Sequence, residues 1–143
     1  MKKFLIISIF IIALLVFGLA VWMQIYQKGL EISTQKEAYS EDEPIAIRIE
    51  NRINREFCFS ACYPYFVEEK TQGGWVRYEY EDCSKEDRVE TCIEGKDIRH
   101  FETEFEIFKQ GTYRLAVPAC VSCSKDQPFK YDVWFYSNSF EII

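Results

Sequence analysis

The residues of this chain with the widest chemistry are its six cysteines: Cys58, Cys62, Cys83, Cys92, Cys120 and Cys123. Three chemistries suit their spacing. An even count in a short chain fits a framework of structural disulfides, provided the compartment is oxidising. Cys58-x3-Cys62 together with Cys120-x2-Cys123 gives a four-thiolate spacing suited to Zn2+. Cys120-Val121-Ser122-Cys123 is also a C-x-x-C pair. Such a pair becomes redox-active when its thiol pKa is depressed, typically at a helix N-terminus, and no helix is expected after it. Compartment decides among the three, and the segment ahead of the cysteines speaks to compartment.

From Phe4 to Met23, 18 of 20 residues are apolar, the exceptions being Ser8 and Gly18, and no charge falls between Lys3 and Lys28. Twenty residues at about 1.5 Å rise span roughly 30 Å, the thickness of a bilayer core. A secretory signal peptide has a shorter apolar region, about 7–15 residues, with small residues at its cleavage site. Gly18-Leu19-Ala20 offers a weak site of that kind, but Val21, Trp22 and Met23 continue the run past it. Trp22 and Tyr26 fall where an interfacial aromatic belt would lie. Length therefore favours an uncleaved signal anchor over a cleaved leader, which would release a secreted domain. Lys2 and Lys3 precede the span and only Lys28 follows closely, which orients the N-terminus to the cytoplasm. Residues 1–28 are read as a cytoplasmic stub and transmembrane anchor, and 29–143 as one extracytoplasmic domain. That places the cysteines where disulfides form.

The domain holds 14 Lys/Arg against 23 Asp/Glu, a net charge of −9. Phosphate binding needs basic side chains to displace counterions, so nucleic acid is excluded as a partner. Catalytic constellations are missing from the sequence. His100 is the lone histidine and alternates with Phe101, which puts it on a solvent face with Glu102 and Glu104. Glu102, Glu104 and Glu106 occupy alternate positions of one strand, a solvated stripe rather than a hydrolytic carboxylate pair. The acidic run Glu79–Asp82 lacks the Gly-turned oxygen spacing of a calcium loop. No phosphate loop, nucleophile elbow or His-Glu-x-x-His occurs. The expectation is a protein with no catalytic, cofactor-binding or metal residues. Trp75, Trp134 and Tyr136 read either as exposed aromatics for glycan or protein contact, or as aromatics packed on their neighbours.

After residue 29 the apolar period becomes two. Leu30 and Ile32; Ile45, Ile47 and Ile49; Tyr63, Tyr65 and Val67; Val76, Tyr78 and Tyr80; Phe101, Phe105 and Ile107; and Tyr113, Leu115 and Val117 each alternate with other residues. A final strand region runs over 129–142, interrupted at Ser137-Asn138. About seven short strands in this length predict an antiparallel β-sandwich. Nineteen of the 24 aromatics lie in the domain, enough to build its core.

Gly111-Thr112-Tyr113-Arg114-Leu115 resembles the tyrosine corner of immunoglobulin-like domains, in which the phenol, here of Tyr113, bonds back to nearby backbone. Tyr39-Ser40-x-x-Glu43-Pro44-Ile45, Gly73-Gly74-Trp75-Val76 and the closing Ser137-Asn138-Ser139-Phe140-Glu141-Ile142 extend the likeness over nearly all of 29–143. In that order the motifs resemble a bacterial immunoglobulin-like domain of membrane-anchored or secreted proteins of unassigned function. The resemblance implies a sandwich and no catalytic residues. Six cysteines exceed the pair such a domain would have, and none is expected mid-strand to bridge the sheets.

With strands over 44–51, 63–69, 75–81, 98–108, 112–119 and 129–142, the three cysteine pairs fall in connections that close at one pole. Neighbouring strands suggest Cys62 with Cys83, Cys58 with Cys92, and Cys120 with Cys123. Cys83–Cys92, with Cys58 or Cys62 joined to the 120–128 loop, is the competing connectivity. The function that follows is a disulfide-stabilised binding or structural module, tethered to the outer membrane surface by one helix, meeting an envelope protein or a glycan through its cysteine-rich pole. The alternative is an extracytoplasmic thiol-redox or zinc protein on the same fold.

Overall fold

The computed structural model describes residues 10–19, 21, 29–78, 83, 86–103 and 109–143. Residues 10–19 and 21 are helical with exposed side chains. Among the described residues no helix is long and apolar enough to cross a membrane. The rest of the expected span, with Trp22 and Tyr26, lies outside the described residues.

Among the described residues the domain has eleven strands: β1 (Leu30–Thr34), β2 (Ala38–Tyr39), β3 (Ile45–Asn51), β4 (Phe57–Ser60), β5 (Phe66–Thr71), β6 (Gly74–Arg77), β7 (Val89–Ile93), β8 (Ile98–Thr103), β9 (Gly111–Val121), β10 (Val133–Tyr136) and β11 (Phe140–Ile142). One sheet has the order β1-β3-β8. The other is organised on β9, the longest strand at 11 residues. One edge of β9 takes β11 and then β10; the other takes β5 and then β4. Beyond these lie β2, β6 and β7. The all-β, two-sheet architecture is the one the alternation predicts.

The core follows from period two. In β3, Ile45, Ile47 and Ile49 point inward and are buried, and Leu30 and Ile32 of β1 flank them. Opposite stand Tyr113, Leu115, Val117 and Ala119 of β9, with Val67, Phe135 and Phe140 beside them. Successive side chains of a strand point to opposite faces, so Arg114, Ala116, Pro118 and Cys120 stand on the outer face of the larger sheet.

The strand count departs from about seven. β4 and β7 lie in stretches read as connections, and the 129–142 region divides into β10 and β11 at Ser137-Asn138, as expected. The expected 63–69 strand starts at Phe66, and the 112–119 strand extends to Val121. Cys58, Cys92 and Cys120 consequently lie within β4, β7 and β9, against the expectation that no cysteine sits mid-strand. The pattern hides β4 because every residue of Phe57-Cys58-Phe59-Ser60 is buried, which erases the alternation that betrays a half-exposed strand. The outer parts of the expected strands at 75–81 and 98–108 fall on residues 79–81 and 104–108, outside the described residues.

Tyr113 is fully buried, and its hydroxyl donates to Lys109 O, four residues upstream, at 2.7 Å. A Cβ on Gly111 would lie 3.2 Å from the Tyr113 ring, a tight contact that the glycine avoids.

Candidate functional site

The outer face of the larger sheet carries two side-chain constellations, one at each end of β9. The lower one grows from register. Arg114 of β9 stands opposite Glu68 of β5, and Glu68 stands opposite Arg77 of β6. The Glu68 side chain is only 7% exposed. Its Oε1 accepts from Arg77 Nε (3.2 Å) and Nη2 (2.9 Å); its Oε2 accepts from Arg114 Nε (2.8 Å) and lies 2.7 Å from Arg114 Nη2. Two cations share one buried carboxylate.

Each guanidinium also lies against two aromatic rings. Arg114 lies 4.3 Å from the Trp75 ring centre and 4.2 Å from that of Tyr136. Arg77 lies 4.0 Å from Trp134 and 4.9 Å from Phe66. Phe66 stacks on Tyr63, and Tyr131 meets Trp134 edge-on. Planar guanidinium groups suit this layering because ring faces attract them while their edges stay free for the carboxylate. Trp75, Trp134 and Tyr136, whose role the sequence left open, are thus parts of one ladder. Tyr136 and Tyr131 remain exposed at its rim. Sequence reasoning missed the pairing of Arg77 and Arg114 on Glu68, since β9 must be registered on the distant β5–β6 hairpin before it can be seen.

The upper constellation is sulfur. The bonded pairs are Cys58–Cys92, Cys62–Cys83 and Cys120–Cys123. These are the pairs that neighbouring strands suggest. Register places Cys58 of β4 directly opposite Cys92 of β7 on one side and Cys120 of β9 on the other. Cys58 and Cys120 are buried, while Cys92 and Cys123 are partly exposed. Cys58 Sγ lies 3.4 Å from Cys123 O. Around the Cys62–Cys83 bridge, Ser60 Oγ donates to Asp87 Oδ1 (2.6 Å) and accepts from Tyr63 N (2.6 Å), and Cys83 N donates to Tyr63 OH (2.7 Å).

Metal-ligand spacing recurs in two groups, Glu56/Cys58/Cys92 and Cys120/Cys123/Asp132, whose ligand atoms lie within 4.8 Å of one another. Their sulfurs are in disulfides, and a bridged sulfur lacks the thiolate lone-pair basicity that Zn2+ requires. Cys58 and Cys62 belong to different bridges, so the spacing read as a four-thiolate set does not converge.

His100 is exposed on β8, opposite Arg48, and Glu102 is exposed on the same strand; Glu104 and Glu106 lie outside the described residues. A separate cleft of about 430 Å3 is lined by Ile49, Phe59, Thr91, Ile93, His100 and Phe101, among others.

Burial raises the Tyr113 pKa, with the Glu69 charge adding to it. Tyr78 is raised further, first by its 2.5 Å hydrogen bond to Glu69 Oε2 and then by burial. At the exposed edge, the Lys36–Glu43 hydrogen bond raises the lysine and lowers the carboxyl. None of these groups adjoins a nucleophile, so their shifts mark packing and pairing. Comparison with known proteins gives no match to any family model, curated protein or solved structure.

Proposed function

We propose that this chain is a binding module: an immunoglobulin-like sandwich, stiffened by disulfides, held at the outer surface of a membrane by its N-terminal segment and acting without catalysis. The arginine–aromatic ladder over Glu68 carries the reading. Trp, Tyr and Arg dominate the energetics of protein interfaces, and rigid side chains lose little entropy when a partner covers them. Arg77 and Arg114 are each held by two aromatic rings and by Glu68 before any partner arrives. Against Glu68 they leave the ladder net positive on a domain of net charge −9, which suits a protein partner presenting carboxylates. The contact surface is therefore the ladder face in preference to the cysteine-rich pole, whose row of sulfurs is largely covered.

Support for the tether is the apolar run Phe4–Met23 together with a disulfide framework that belongs to an oxidising compartment. The test uses the full chain in its own membrane. A photo-crosslinking amino acid is placed at Tyr136 on the ladder rim, and separately at Glu102 on the opposite sheet. The expected result is one discrete protein adduct from position 136, lost on Arg114→Ala, and none from position 102. Equal labelling from both positions, or an adduct that survives Arg114→Ala, overturns the contact face. Intact-mass measurement of the same sample checks the anchor: a chain beginning near Val21 overturns it.

A further inference from the structure

The row Cys92–Cys58–Cys120 runs across three strands, and its geometry follows from the ladder of backbone hydrogen bonds. Ser122 N donates to Glu56 O at 2.9 Å. Hydrogen-bonded pairs recur every second residue, so Cys58 and Cys120 are also a hydrogen-bonded pair, with Cα atoms about 5.5 Å apart by general strand geometry. Cys58 and Cys92 are then the non-hydrogen-bonded pair, as their 4.0 Å Cα separation confirms. Disulfides span Cα separations of about 4.4–6.8 Å. Cys120 therefore flanks Cys58 on the side away from Cys92, to which Cys58 is bonded; closing Cys58–Cys120 draws their Cβ atoms in from the about 5.5 Å of a hydrogen-bonded pair to the about 3.5–4.5 Å of a disulfide.

Exchange at a disulfide requires the attacking sulfur to approach opposite the sulfur that leaves. Strand order β9-β4-β7 sets Cys120 and Cys92 on opposite sides of Cys58, the strand arrangement that such an approach needs. We infer that the two bridges form a disulfide relay, in which reduction at the partly exposed Cys123 is passed through Cys120 and Cys58 and emerges as a free thiol at Cys92. The substrate class is a dithiol, on a protein or a small molecule.

The steps balance. One donor thiolate attacks Cys123 Sγ; the Cys120–Cys123 bond breaks and Cys120 leaves as a thiolate. Cys120 attacks Cys58 Sγ; the Cys58–Cys120 bond forms, the Cys58–Cys92 bond breaks, and Cys92 takes up a proton released by the donor. The second donor thiol closes on the mixed disulfide, leaving Cys123 as a thiol. The donor loses two electrons and two protons, and these reside on Cys92 and Cys123. The chain keeps a cross-link between β4 and β9, and Cys62–Cys83 takes no part. The absence of a following helix, which weakens Cys120-x2-Cys123 as a self-sufficient redox pair, does not impede this route, because the neighbouring bridge accepts the electrons.

The full chain in detergent is treated with one equivalent of dithiothreitol, acid-quenched, alkylated and mapped by mass spectrometry without further reduction. The expected singly reduced species carries adducts on Cys92 and Cys123, loses the Cys58–Cys92 peptide and gains Cys58–Cys120. Adducts on Cys120 and Cys123 with Cys58–Cys92 intact overturn the relay, as do first adducts on Cys62 and Cys83. A second measurement uses the Cys92→Ser/Cys123→Ser variant refolded in air. Closure of Cys58–Cys120 is expected, with loss of all alkylation at both; two alkylatable thiols in the folded variant refute it.

Discussion

Glu68→Gln is the sharpest test of the outer-face ladder. The substitution keeps size and shape but removes the one anion shared by Arg77 and Arg114. Breaking a buried ion pair by removing one partner costs about 3–5 kcal/mol, because the remaining charge is left buried. The arginine side chains are 34% and 23% exposed, so water recovers part of that loss, and the ring faces retain their hold on both cations. About 2–3 kcal/mol is the resulting expectation. At roughly 2.1 cal/mol/K of unfolding entropy per residue, the 115-residue domain loses about 4 °C of Tm per kcal/mol, so Tm should fall by about 8–12 °C. Near-UV circular dichroism of the full chain follows the melt and, at the same time, reports the asymmetry of Trp75 and Trp134. Glu102→Gln, an exposed carboxylate on the other sheet, is the control and should stay within about 0.5 kcal/mol of the parent. A Glu68→Gln melt within about 2 °C of the parent would refute the idea that this carboxylate organises the arginines. Independent addition of Glu68→Gln and Arg114→Met in a double-mutant cycle would refute it equally, since residues joined by two short contacts must couple.

Tyr113→Phe removes the hydrogen bond to Lys109 O while leaving the ring packed, and should cost about 1 kcal/mol by urea titration, because the carbonyl of an exposed residue regains water. Asn51 is buried, donating to Arg55 O, Ile93 O and Glu94 O and accepting from Ile53 N; Asn51→Ala should cost about 3 kcal/mol and speed amide exchange across 53–56 and 94–97, against no local change if the network is idle. Tyr78 and Tyr113 have pKa values raised above the ordinary 10.0, so the unfolded chain releases those protons first. Stability held below pH 10 should therefore decline as pH rises beyond it, and less steeply in Tyr78→Phe; a flat profile there contradicts the assignment.

Strands with one dry and one wet face were legible without coordinates. Leu30/Ile32, Ile45/Ile47/Ile49 and Tyr113/Leu115/Val117 all alternate, and all became buried faces of β1, β3 and β9. The bridge connectivity was legible only as one of two candidates, and the structure has the one in which neighbouring strands bring Cys58 to Cys92 and Cys62 to Cys83. β4 and β7 were not legible. Four consecutive buried residues in β4 leave no period, and β7 carries an irregular register between Phe59 and Ser60 of its partner. The ladder was out of reach for another reason. Phe66, Glu68, Trp75, Arg77, Arg114, Trp134 and Tyr136 look like ordinary outward residues until four strands are laid side by side.

Both constellations answer one physical requirement. An antiparallel sheet normally leaves its outer face to water, and the outward residues are then polar. On β9 the outward residues are Thr112, Arg114, Ala116, Pro118 and Cys120, of which only Arg114 is charged and the last three carry no strongly polar side chain. A face so poor in polar groups must be covered. At one end the cover is the loop after β9, where Val121 N donates to Asp132 Oδ2 at 3.0 Å, Asp132 N donates to Ala119 O at 2.9 Å, and Cys123 O rests on Cys58 Sγ. At the other end the cover is the guanidinium–ring layering over Glu68. The domain thus has a second packed layer outside its sandwich core, and its cross-links and its arginines are the two means of holding that layer in place. Loss of either should loosen the outer face while the inner core of β1, β3 and β9 persists, because the inner core takes no side chain from the ladder or the sulfur row.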